Sequence, residues 1–563
     1  MTIASVLLDG SRRRSVMIFI LPSRLRLLEL QRAIRTDAER PLDRLCKAHK
    51  LLFIKTEGER SVADLITLAV ALGTWSATVQ LPIIPISAAM LPTGKVLVWS
   101  SNMPATFESD IGHTPSTTLT AMYDPATGAV SRLMDSGVVE ADMFCPSISF
   151  LPDGEILVAG GSSSYHTSIF NPFLGIGTWA NGADLNIPRG YNASVTLSNG
   201  SVFTIGGSWS GASGGKDGEL WSPAVGWQLT GIPGSLITAD DLLDKAQGYI
   251  EFGDDHNWLF AMPNGGVFDA GPGSQMYFFD PLRGAYTSAG TRGDDAYSIN
   301  GDAVMFAPGK ILKVGGAPGY TSNSDIGLEI NSSNSAYVID ITQDYVDPTA
   351  MPVVTKLTPM SFPRAYSNAV VLPGGEVFIV GGQTEPAQFT DLVSVMTPEM
   401  WSPVTMRFTQ LATMPTPRNY HSTALLMPDA RVWVGGGGGC DDPGCANHLD
   451  FEIYTPPYLY APDGSAAVRP MIVSAPKSLS LGSPLAVTVS GNVTGFDLLR
   501  MGTSTHALDT DQRRIPLAVQ SAVNGTYTLA VPSDPGITVP GYWMLFALDA
   551  NGVPSISAII LIG

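Results

Sequence analysis

Cysteine is nearly absent from this chain, with four in 563 residues at positions 46, 145, 440 and 445. That excludes a small-domain framework stapled by many disulfides. Histidine is almost as scarce: His49, His113, His166, His256, His421, His448 and His506 are all there are. Positive charge is concentrated at one end. Residues 1–60 carry 13 Lys and Arg against 7 Asp and Glu, whereas residues 61–563 carry 19 against 43, for a net charge of −18. A field of that sign repels phosphate backbones, so nucleic acid is not an expected partner. Long apolar runs are missing too. "SVMIFILP" (15–22) is far short of the roughly 20 residues that span a bilayer, and no other segment approaches that length, so no membrane partner is expected. "SRRRSVMIFIL" has the charged-then-apolar order of a secretion signal, but its apolar run is short and no small-residue cleavage site is clear.

Glycine and proline are missing only locally. The first 60 residues hold 2 of the 59 glycines and 2 of the 42 prolines. Residues 1–72 therefore read as an atypical basic extension, in which "LRLLELQRAIR" (25–35) has the pattern of a basic amphipathic helix.

Beyond that extension one pattern recurs. A turn of Pro, Gly, Asn or Asp leads into a short β-branched or aromatic run that closes on glycines. It appears as "LPTGKVLVWSS" from Leu91, "LPDGEILVAGGSS" from Leu151, "LSNGSVFTIGGSW" from Leu197 and "MPNGGVFDAGPGS" from Met262. "APGKILKVGGAP" from Ala307, "LPGGEVFIVGGQ" from Leu372 and "MPDARVWVGGGGG" from Met427 complete seven copies. The turn residues select tight hairpins, and the closing glycines suit places where strands converge. Seven such units predict an all-β fold, a seven-bladed kelch-type β-propeller over 73–465. From 466 to 563 the repeat stops while short alternating strands continue, which fits one Ig-like β-sandwich.

A propeller does not name a function. Cys145, in "ADMFCPSISF", can be an inert thiol, half of a disulfide, a metal ligand or a modified residue. "PRGY" (188–191) and "PRNY" (417–420) precede different hairpins, which puts Tyr191 and Tyr420 at similar depth near the propeller axis. Tyr420 and His421 are adjacent, and neighbouring strand residues face opposite ways, so both reach one metal only near a strand end or bulge. His506 lies on a Gly/Ser/Thr-rich turn of the second domain and matters only if that turn enters the propeller. Trp209, in "GGSWSG", reads by itself as packing.

The stretches "DMFCP", "RGYNASVTLSNGSVFTIGGSWSG", "NYHSTALLMPDARVWVGGGGG", "THALDTDQRRIPL" and "PGYWMLF" closely resemble the galactose oxidase family of copper radical oxidases, in the family's order, from about residue 73 to the C-terminus. The resemblance implies one copper ion held by Tyr191, Tyr420, His421 and His506. It implies a thioether between Cys145 and the ring of Tyr191, which would carry a radical. Tyr420 would be the axial base, and Trp209 would stack over the cross-linked tyrosine. Two imidazoles and phenolate oxygens suit Cu(II). Removing two electrons from a primary alcohol needs an acceptor besides the metal, which the radical provides, and O2 returns the pair as H2O2. The glycine-rich runs end hairpin strands and do not open helices, so no nicotinamide or flavin motif is present.

The resemblance also places substrate contacts at Arg292, Phe107, Phe389 and Tyr320. It departs at Thr321, where the family has glutamine, and at Tyr366, where it has phenylalanine; losing the amide puts strict galactose preference in doubt. Trp209 argues against the glyoxal oxidase branch. Cys440 and Cys445 match a family disulfide with shorter spacing, while Cys46 has no evident partner. The family's carbohydrate-binding jelly-roll has no counterpart in residues 1–72. The expected protein is a monomeric, extracellular alcohol oxidase, with galactose and related sugars as first substrates. Sequons at Asn192, Asn199, Asn331, Asn492 and Asn524 are consistent with secretion. The same chemistry on non-sugar alcohols or aldehydes is the second reading, and a non-catalytic interaction propeller the third.

Overall fold

In the computed structural model, the described residues are the strands 2–8, 15–21 and 53–57 and residues 70–563 apart from 109, 110, 138, 175, 176, 348 and 443. The chain forms two compact units, residues 1–71 with 460–465, and residues 72–459 with 466–563. In the first, strands Thr2–Leu8, Ser15–Leu21 and Phe53–Glu57 form one antiparallel sheet. The apolar run from Ser15 is thus a strand. The helix expected over 25–35 and Cys46 lie outside the described residues.

The second unit is all β. Seven sheets follow one another along the chain, and each begins at one of the seven repeated hairpins. In six of them the turn is closed alike: the amide of Leu91, Leu151, Leu197, Met262, Leu372 or Met427 donates to the carbonyl four residues on. The inner strands are buried end to end, as in Ile156–Ala159 and Val432–Gly436, because neighbouring blades cover both faces. The ring closes in blade seven. Its outer edge is supplied by Thr74–Trp75 and Val79–Gln80, which pair antiparallel with Asp450–Thr455.

The closing glycines join blade to blade. Gly161 donates to the carbonyl of Arg189 at 2.9 Å, Gly316 to Arg364 at 2.7 Å and Gly382 to Arg418 at 2.8 Å. A Cβ on the preceding glycine, Gly160, Gly315 or Gly381, would collide with that same carbonyl, and all three have positive φ. The three arginines open the tetrapeptides "PRGY", "PRAY" and "PRNY". Each is buried and pairs with a buried glutamate on the third strand of its blade: Arg189 with Glu219, Arg364 with Glu399, Arg418 with Glu452. Each also donates to a carbonyl among the closing glycines of its blade's second strand, at Gly206, Gly381 and Gly436.

The C-terminal residues form a sandwich of a four-stranded sheet (Met471–Ser474, Leu485–Ser490, Thr526–Ala530, Ala518–Val523) and a five-stranded one. A third short segment, Thr503–Thr505, leaves the sandwich and pairs antiparallel with the inner strand Ser87–Met90 of blade one. That pairing carries His506 onto the propeller axis.

Candidate copper centre

The axis is ringed by residues in the left-handed backbone region. Cys145 (φ 59°), Tyr191 (64°), His256 (53°), Asn300 (58°), Tyr366 (61°) and His421 (65°) belong in turn to blades two to seven, each at or just before the start of an inner strand. Such a conformation costs a non-glycine residue on the order of 1 kcal/mol, and strain of this kind collects at functional sites. Here neighbouring blades hold it. Tyr191 donates its amide to Cys145, His256 to Tyr191, and Tyr366 to Asn300, all at 2.9 Å. The left-handed turn also resolves how Tyr420 and His421 share a site. His421 precedes strand Ser422–Leu426, and the two rings stack at 3.8 Å between centroids instead of facing apart.

Four distant segments thus converge. The sulfur of Cys145 lies 3.2 Å from Nε2 of His506 and 3.8 Å from Nε2 of His421, and these three are mutually close enough to hold one metal ion. The hydroxyls of Tyr191 and Tyr420 are hydrogen-bonded to each other. Trp209 stacks on Tyr191 at 4.5 Å and 7°. All five ring and sulfur groups around the centre are buried, while Trp209 is only partly so.

Burial controls the protonation of the set. It lowers His421 to about 3 and depresses His506, so both imidazoles are neutral with a lone pair available. Nδ1 of His421 meets the carbonyl of Gly438 at 2.5 Å and Nδ1 of His506 meets Oγ1 of Thr505 at 2.7 Å, so both Nε2 atoms are left facing the centre. Burial raises the Tyr191 and Tyr420 phenols and the Cys145 thiol, whose charged forms lack a cation nearby. Two oriented neutral imidazoles and two buried phenol oxygens are a donor set that fits cupric ion.

The wall beside this centre is aromatic. Phe107 stacks on Phe144 at 4.1 Å and lies 6.3 Å from Phe389 and 6.2 Å from Trp209. Phe252 stacks on Tyr320 at 4.3 Å, and Tyr366 lies 5.1 Å from Tyr420. Cys440 and Cys445 are bonded as a disulfide, with Cα atoms 6.0 Å apart. Their loop braces this wall: Ala446 donates to the carbonyl of Phe389, and Asn447 links Cys440 to Ala105.

Arg292 is not part of the wall. It is fully buried, paired with Asp295 at 2.8 Å, and bonded to the carbonyls of Ala270, Pro272 and Gly273. The expectation that it meets substrate is therefore corrected: its guanidinium is committed to blade-four backbone. Sequence reasoning also passed over His256, Asn300, Phe144 and Phe252, which the structure brings to the site. A signal for Tyr366 on the axis was present in "PRAY" (363–366), a third copy of the tetrapeptide before the tyrosines.

Comparison with known proteins agrees with this geometry. The family model "Galactose oxidase-like, Early set domain" matches residues 469–562, and "Glyoxal oxidase N-terminus" matches 302–458. A galactose oxidase of Gibberella zeae is 39% identical over 500 residues, covering 87% of this chain and 70% of the relative. An aldehyde oxidase (GLOX) of Vitis pseudoreticulata is 29% identical, covering 74% and 81%. A solved fungal alcohol oxidase in complex with copper superposes with a TM-score of 0.80 at 36% identity, over 87% of this chain and 99% of that one. Its copper suits the same buried phenols, imidazoles and sulfur found on this axis. The chain belongs to the galactose oxidase family of copper radical oxidases, as a copper-dependent alcohol oxidase with a Tyr–Cys thioether that passes electrons from its substrate to O2 and yields H2O2.

Proposed function

We propose that the centre is built from His421 Nε2, His506 Nε2 and the phenol oxygens of Tyr191 and Tyr420, with the sulfur of Cys145 joined to the ring of Tyr191, and that its substrates are primary alcohols with an apolar or aromatic substituent rather than galactose. The observation that carries the first part is the convergence of Cys145, Tyr191, His421 and His506 within one buried cluster. Copper bound there supplies a one-electron acceptor and a Lewis acid, and the cross-linked Tyr191 the second one-electron acceptor.

The surrounding residues define the rest of the reaction. Tyr420 takes the hydroxyl proton of the alcohol; burial makes its phenolate a strong base. Trp209 covers the face of Tyr191, and Phe107 with Phe144 covers His421, which keeps water from the radical and the imidazole. The substrate meets Phe107, Phe389 and Trp209, and no cationic side chain among those expected at the wall. A sugar would set several hydroxyls against these rings, and each one left without a partner costs about 1–3 kcal/mol.

The disulfide and the exposed sequons at Asn199, Asn331, Asn492 and Asn524 support secretion. Asn192 is buried, with its amide bonded to Ser147 and Thr204, and is closed to glycosylation.

Two experiments test this reading. Intact mass after copper loading in air, with the disulfide reduced, should fall by two hydrogens, and Cys145→Ser should abolish the loss. Peroxide release should show higher kcat/KM for benzyl alcohol than for galactose. A preference for galactose of tenfold or more would overturn the substrate assignment and leave the centre standing.

A further inference from the structure

Of the two positions at which the chain departs from the family pattern, Tyr366 reaches the peptide that precedes the other, Thr321. The Tyr366 hydroxyl donates to the main-chain carbonyl of Tyr320, the residue before Thr321. Nδ2 of Asn300 donates to the same carbonyl at 2.9 Å. Nε2 of His256 lies 3.3 Å from the Tyr320 hydroxyl. His256, Asn300 and Tyr366 are the left-handed residues of blades four, five and six. Each axial position that offers neither a metal donor nor the sulfur therefore holds Tyr320.

Tyr320 is fixed at both ends and on its face. Its carbonyl has two donors, its hydroxyl faces His256, and its ring stacks on Phe252. That hydroxyl reaches toward the Tyr420 hydroxyl at 3.5 Å, the long end of a hydrogen bond, as catalytic contacts often are before substrate arrives. A tyrosine held this way offers the Tyr420 oxygen a second fixed partner beside the Tyr191 hydroxyl.

We propose that His256, Asn300 and Tyr366 clamp Tyr320, and that Tyr320 so held positions the hydroxyl of Tyr420 for proton transfer. Tyr366 is then a positioning residue acting through Tyr320. The inference rests on Tyr420 as the proton acceptor of the proposed centre.

A double-mutant cycle on the full-length copper-loaded protein tests it, read on steady-state kinetics with benzyl alcohol and on the phenolate-to-copper(II) charge-transfer absorption. Tyr366→Phe removes one hydroxyl from a carbonyl that keeps Asn300. It should lower kcat and kcat/KM together by roughly fivefold, leave KM and copper content unchanged, and shift the absorption band. Tyr320→Phe should do at least as much, and Tyr366→Phe should add nothing in that background. Asn300→Ala, which removes the other donor to the Tyr320 carbonyl, should act in the same direction and serves if Tyr366→Phe loads copper poorly. Additive losses, a rise in KM alone, or an unchanged band with unchanged kcat would each overturn the clamp. A wild-type protein that binds copper but oxidises no primary alcohol would defeat the functional reading instead, and the band shifts would still decide the clamp.

Discussion

His506 Nδ1 lies 2.7 Å from Oγ1 of Thr505, the residue before it in the chain, and that hydroxyl is in turn 3.3 Å from the carbonyl of Ile86 and 3.1 Å from Oγ of Ser87. One side chain thus joins the sandwich's inserted strand to blade one and fixes which nitrogen of His506 faces the centre. Thr505→Val keeps the shape and removes the acceptor. Copper affinity should fall about 10–100-fold, measured by competition with a chelator, while Thr505→Ser retains it.

Gly439 seats the other imidazole. A Cβ there would stand 2.8 Å from Nδ1 of His421, at φ +112°. Gly439→Ala should displace that ring and reduce bound copper several-fold by elemental analysis. Gly444→Ala, five residues on in open space, should leave loading unchanged.

Arg292 is a brace of blades four and five. Asp295 sits between its guanidinium and the buried ammonium of Lys313 at 3.0 Å. Arg292→Met should lower unfolding stability by about 3 kcal/mol, because it leaves buried carbonyls and a carboxylate with fewer donors. In the folded fraction KM should not change. A selective rise in KM for sugars with stability intact would restore the role assigned from resemblance.

His256 makes stability depend on pH in a defined direction. Burial first, and the neighbouring His421 second, lower it from 6.5 to about 3. Below pH 6.5 the unfolded chain binds a proton that the folded one refuses, so stability is lost as pH falls from 6.5 toward 3. Asp142 and Asp269, pushed up to about 7 by burial, act with the opposite sign over much of that range, so the effect is isolated by difference. Relative to metal-free wild type, metal-free His256→Gln should gain about 2 kcal/mol between pH 7 and pH 5, read from denaturation midpoints.

Much of the architecture was legible in the chain because it is local. Each hairpin carries its own turn residues, its own apolar run and its own closing glycines, and seven repeats of that set leave few alternatives to a propeller. The third copy of the arginine tetrapeptide, "PRAY", was equally local and pointed to Tyr366 on the axis. Arg292 shows where resemblance fails: the residue type suits a sugar, but whether a guanidinium faces a pocket or four neighbouring backbone and carboxylate oxygens depends on chain neighbours brought from Ala270 to Asp295.

The amino-acid order by itself determined the blades, the sandwich and the residue types able to hold copper and a radical. Only the tertiary structure decided that one left-handed residue per blade, from Cys145 to His421, turns its side chain toward the axis, and that a strand from the sandwich brings His506 between them. The reason is physical. A positive φ at a cysteine, tyrosine or histidine is unfavourable in an isolated segment; it persists because the next blade's backbone hydrogen bonds and packing hold it there.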